Sequence, residues 1–163
     1  MLRRLFRRSG RRDDAANDVV LRLKYEPSPE NLAEFAVDVV ASAEGISGVK
    51  LDYTPASLAL VDDIIEGFRS EGVGSRQVGE TLFGFGCYVG EVSVRHAGGR
   101  WRRTEETPMR GIAGHAFVIE LPAGNYCNPL AKTFKRMDDG SVDSLAYFYR
   151  VVANDEARDI RAR

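Results

Sequence analysis

The chain is poor in the residues that most often carry chemistry. Its 163 residues include two cysteines, two histidines and one tryptophan. Cys87 and Cys127 are far apart and have no metal-ligand spacing, so no disulfide framework is readable, and such sparse use fits a reducing cytoplasm. Adding His96 and His115 gives atom types that suit zinc, but their spacing matches no short ligand pair. Neither a Ser-His-Asp nor a Cys-His arrangement stands out as a nucleophile with its base. No apolar run reaches transmembrane length. The basic start is followed by no apolar h-region, which argues against secretion. Lysine is scarce beside arginine; arginines are scattered along the whole chain, which speaks for GC-rich coding rather than for chosen bidentate contacts. With a net charge of -1 the chain has no strong overall bias towards an acidic or basic partner. No metal, cofactor or catalytic residue is expected from these features.

What is present is the material of one soluble domain: 44% hydrophobic and 29% charged residues, in a chain long enough to bury a core. The charge is unevenly spread. Arg3, Arg4, Arg7, Arg8, Arg11 and Arg12 precede the first acid, Asp13, and leave the rest of the chain acidic. Residues 1–17 therefore read as a basic, flexible arm, 18–153 as the domain and 154–163 as a charged, fraying tail. The arm offers weak contact with an anionic membrane or nucleic acid. Leu2, Leu5 and Phe6 are too few for a firm anchor, and a solvated terminus is the plainer reading.

The organising stretch is Ser75 to Trp101. At helical spacing Val78, Leu82, Phe85, Val89 and Val92 form an apolar stripe. Gly79, Gly86, Gly90, Ser93 and Ala97 form a second stripe of small residues, where another backbone can come close. A helix apolar or small nearly all round is a buried central helix, held by packing because its glycines weaken it. Around it, Val19 to Tyr25 alternates like a half-buried strand, and Ser28-Pro29-Glu30 opens an amphipathic helix ended by Gly45 and Gly48. Thr54-Pro55 opens another, with Leu58, Val61, Ile65 and Phe68 inward. Arg100–Arg102 and His115–Leu121 read as an antiparallel pair. Asn128-Pro129 starts a short helix carrying Lys132, Lys135 and Arg136, and Ser141 caps the last. The expected fold is α+β: a helix-rich single domain with a buried central helix and a small antiparallel sheet.

Two constellations invite a functional reading. GFGCYVG has the spacing G-x-G-x-x-x-G and lies inside a helical period, whereas a dinucleotide fingerprint needs a strand-to-helix turn. Its glycines are packing residues. The line Tyr88, Glu91, Arg95 is the polar chemistry of the central helix, with Glu91 and Arg95 spaced for an intrahelical ion pair. Trp101, Asn128 and Lys132 complete the candidate binding set. Asp62, Asp63 and Glu66 read as a solvated acidic face, since a cation loop needs further ligands at set spacing.

Leu51-Asp52-Tyr53-Thr54 with Ser57-Leu58, Tyr88-Val89-Gly90-Glu91 with Gly98-Gly99-Arg100-Trp101, and Asn128-Pro129 with Lys132 form a three-part pattern. It resembles uncharacterised bacterial cytoplasmic proteins, a domain family of unknown function. The resemblance covers roughly Leu51 to Val152, implies one α+β domain and brings no activity with it. The leading expectation for function is a non-catalytic cytoplasmic binding or interaction module with a protein partner. The alternative is a small hydrolase or transferase, with Glu91 as acid/base and Arg95 and Lys132 as anion clamp. An enzyme should bring those three groups together in one pocket; a module should pair them internally and leave an apolar patch elsewhere.

Overall fold

The computed structural model describes residues 4–6 and 19–162, with side chains from Leu21 onward. Arg4–Phe6 (β1) pairs antiparallel with Val19–Leu21 (β2), Leu5 opposite Val20. The expected alternation holds beyond β2: Leu21 is buried, Leu23 and Tyr25 half-buried, and Arg22 and Lys24 exposed. Helix α1 (Leu32–Ser47) starts later than Ser28 because Asn31 closes a turn first. Its side-chain oxygen accepts the Ser28 N–H at 2.7 Å, while the Ser28 carbonyl accepts from Asn31 and Leu32. Gly45 lies within α1; Gly48, at φ 69°, ends it.

Thr54 caps as its sequence suggests, accepting the Ser57 N–H, and a 3-10 turn over Pro55–Ser57 leads into α2 (Leu58–Ser70). The central helix α3 spans Gly79–Ala97. Residues 75–78 are turn instead of helix, because Gln77 folds back to accept the Gly74 N–H and to donate its own to the Gly74 carbonyl. Every residue of α3 from Leu82 to Ser93 is buried. Helices α1 and α4 (Pro129–Asp139) pack along it, with α5 (Leu145–Arg161) and the sheet closing the rest.

The sheet orders β3 (Arg100–Arg103), β4 (Phe117–Glu120) and β5 (Tyr126–Cys127), all antiparallel, with Trp101 opposite Ile119 and Ile119 opposite Cys127. β5 adds a strand to the expected pair. The fold is thus helix-rich α+β around a central helix, as the sequence predicts.

Two ends differ from expectation. Ser144, not Ser141, caps α5, accepting the Tyr147 N–H. The stretch expected to fray is helical through Arg161. Glu156 is buried and accepts the Ala123 N–H at 2.6 Å, and Asn125 donates to Asp159. The turn before β5 thereby ties the last helix down.

Candidate functional site

The small-residue stripe of α3 works as close approach, in two different ways. A Cβ on Gly86 would lie 2.7 Å from Leu130 Cδ2 and 2.9 Å from Leu130 Cα, so the backbone of α4 does come close there. At Gly90 the neighbour is the indole of Trp101, whose ring fills the space a side chain would need. The next residue, Glu91, is 8% exposed and accepts the indole N–H at 2.9 Å. Gly90 and Glu91 together form a seat for Trp101, a bulky ring with one polar edge that needs an acceptor when buried.

The expected Glu91–Arg95 ion pair is not formed. Arg95 lies one turn on, with its guanidinium carbon 3.6 Å from the centroid of the Tyr53 ring. Tyr53 is in the left-handed region at φ 62°, a conformation that costs a non-glycine residue about 1–2 kcal/mol. It is held there from all sides. Its N–H donates to the Tyr88 hydroxyl at 2.8 Å, His96 Nε2 donates to its carbonyl at 2.9 Å, and its ring lies 4.8 Å from that of Tyr88. The Ser57 hydroxyl spends its proton on the Thr54 carbonyl, so in the 2.5 Å contact between Tyr88 and Ser57 the tyrosine is the donor. Burial pushes the Tyr88 hydroxyl above its usual pKa and keeps that proton in place. Tyr88 is fully buried, a structural pin rather than a pocket wall.

The remaining candidates are also engaged. Asn128 caps α4 by accepting the Ala131 N–H at 2.9 Å. Lys132 Nζ is 2.5 Å from Asp143 and 5.8 Å from the centroid of the Phe148 ring. Glu91, Arg95 and Lys132 thus face three different partners and do not converge. Burial drives both thiols up, Cys87 well above its usual value and Cys127 to about 12, so neither is a ready nucleophile at neutral pH. Among the described residues no group of three metal-ligating side chains occurs, and no helix is long and apolar enough to cross a membrane. Of the arginines in the arm, Arg4 is part of β1; Arg3, Arg7, Arg8, Arg11 and Arg12 lie outside the described residues.

The acidic face of α2 needs correction. Asp63 is exposed, but Asp62 is largely covered, at 13%, and is a hub. Arg136, 4% exposed instead of part of a surface cluster, donates Nε to Asp62 Oδ1 at 3.0 Å, Nη2 to the Asp62 carbonyl and Nη1 to Glu66. The same carboxylate accepts from the Ser144 hydroxyl and from the amides of Leu145 and Ala146, the first turn of α5. A carboxylate suits that site twice over, as counter-charge to Arg136 and as cap at the positive end of a helix.

The sequence reading also missed a groove of about 460 Å³ between α1 and α2, floored by Phe85 of α3. Ala43 and Ile46 line one wall, Leu60, Ile64 and Phe68 the other, with Asp63 and Glu71 as the charged lining groups. Ile46 is 83% and Leu60 39% exposed. Both fall outside the stripes that α1 and α2 turn to the core, and that misfit was the available signal. No family model, curated protein or solved structure matches the chain.

Proposed function

We propose that this is a non-catalytic cytoplasmic module that binds a basic amphipathic helix of a protein partner in the α1–α2 groove. The observation that carries the reading is a contrast. The polar side chains that would have to act as catalyst are each engaged by a different partner, Glu91 in the core, Lys132 half-buried on Asp143 and Arg95 at the surface on the Tyr53 ring, whereas the large apolar side chains Ile46 and Leu60 stand open. A groove of this size takes the few apolar side chains that a helix presents at i, i+3 or i+4, and i+7. Its charged lining, Asp63 and Glu71, is acidic throughout and complements lysine or arginine flanking those anchors. Free, buried cysteines support a reducing location. The resemblance to uncharacterised bacterial cytoplasmic proteins is part of the same reading.

A synthetic helix of leucine and lysine about four turns long is the probe, with a leucine and glutamate helix as control. Titrated by fluorescence anisotropy, the full chain should bind the basic helix saturably and ignore the acidic one. The double variant Ile46→Gln, Leu60→Gln should weaken binding at least about tenfold, a loss of roughly 1.4 kcal/mol, with its melting temperature unchanged. Equal binding of both helices, or equal binding by the variant, overturns the reading. Concentration-dependent dimerisation abolished by the same variant overturns it as well, and assigns the groove to a second copy.

A further inference from the structure

A second concavity, of about 200 Å³, lies on the far end of the chain's hairpin, where β3 runs into the 3-10 turn Thr104–Glu106 and the loop returns to β4. Arg103, Thr104, Glu105, Arg110, Gly111 and His115 line it. None of these residues belongs to the α1–α2 groove, so the site stands independently of the reading above.

Its charge is mostly of one sign. Arg103 and Arg110 have no carboxylate partner within ion-pair distance among the described residues; Arg103 lies 5.8 Å from the centroid of the Phe117 ring. This contrasts with the other arginines of the sheet, since Arg100 and Arg102 both bind Glu120 on the neighbouring strand. Glu105 is the acid in the wall. Glu30 also senses Arg103, after the stronger pull of its own Ser28 hydrogen bond, yet Glu30 is fully exposed and forms no pair with it. A second observation is independent of charge. Thr104 is 5% exposed and its hydroxyl has no hydrogen-bond partner, although its N–H and carbonyl are both used. Buried hydroxyls are normally partnered, and exceptions mark places where something else supplies the partner.

We propose that this pocket binds the phosphate group of a small soluble molecule. Guanidinium groups grip a tetrahedral oxyanion through several N–H donors at once, and the threonine hydroxyl adds a neutral donor beside them. Two arginines against one glutamate leave a net positive charge that draws an anion, and the preference for phosphate over a carboxylate rests on the larger number of oxygens that two guanidinium groups can hold at once. The volume equals that of roughly six or seven waters, enough for a phosphate with a short organic group.

The test is calorimetric and NMR titration of the full chain with inorganic phosphate, glycerol 1-phosphate and acetate at matched ionic strength. Both phosphates should bind saturably and shift the His115 ring resonances, with acetate at least about tenfold weaker. Arg110 is exposed, so Arg110→Gln should fold normally, and it should weaken both phosphates about tenfold or more. Thr104→Val should weaken them by a smaller factor. Acetate binding as tightly as phosphate overturns the proposal in favour of a carboxylate site. Unsaturable shifts, or unaltered binding by Arg110→Gln, overturn it outright.

Discussion

Two of the carboxylates covered by the fold, Glu91 and Asp62, are held in opposite ways. Glu91, on the central helix, meets the indole N–H of Trp101 and, among the described residues, no ion-pair partner. Asp62, on α2, meets a buried guanidinium, a hydroxyl and two backbone amides. The first satisfies a neutral ring that has been wedged over a glycine. The second joins three helices, since Arg136 comes from α4 and the amides from α5. The one that draws the eye in the sequence holds one neighbour; the one that reads as a surface acid holds the domain together. Which of two similar side chains matters is decided by what arrives from elsewhere in the chain.

That comparison breaks most visibly at Arg136. Removing it leaves Asp62 largely buried without its counter-charge, and breaking such a pair costs about 3–5 kcal/mol. Urea unfolding of Arg136→Ala should show a loss in that range; a loss under about 1 kcal/mol would mean that the α5 amides alone suffice for Asp62. At Gly90 the effect should be intermediate. Gly90→Leu drives a side chain into the Trp101 ring, and overpacking of this kind costs about 1–3 kcal/mol. Its companion readout is tryptophan fluorescence, because the ring can yield only by leaving Glu91; an unmoved emission maximum with full stability would refute the seat. Smallest should be Glu91→Gln, which keeps an acceptor for the indole and strands no cation. A loss of about 1 kcal/mol or less is expected from denaturation, the scale of one net hydrogen bond. A loss matching that of Arg136→Ala would reveal a hidden charge partner and erase the contrast.

Much of the architecture was legible because it rests on local chemistry. The stripe Leu58 to Ile65, the Thr54 cap and the stop at Gly48 depend on residues within a few positions of each other. So did the burial of α3, whose small and apolar residues leave little to face water. What escaped depends on distant partners. An i,i+4 spacing proposed Arg95 for Glu91, yet the Tyr53 ring claims Arg95 and Trp101 claims Glu91. Nothing near Asp62 in the sequence announces Arg136 or the start of α5. The charged tail looked like solvent-facing material because the Ala123 amide that Glu156 accepts lies 33 residues away. The three-part motif likewise marks structural posts: Thr54, Asn128 and Gly98 end or begin helices, and Ser57, Tyr88 and Trp101 join elements. The candidate pockets lie beside those posts, in residues outside any motif.

The remote cap on α5 also bears on how the chain reaches this fold. A helix normally begins with a side chain a residue or two ahead of it, so it can close its first turn on its own. Here Ser144 supplies part of that service, but the amides of Leu145 and Ala146 wait for a carboxylate that sits 83 and 84 residues earlier in the chain. Such a contact forms only after a large loop has closed, and loop closure must be met before the contact can reward it. The start of the last helix is therefore completed by tertiary contact, like the one that the same carboxylate makes with Arg136, 74 residues on. Asp62 makes the first turn of α5 conditional on the tertiary fold: the amides of Leu145 and Ala146 are capped only where α2 lies beside them.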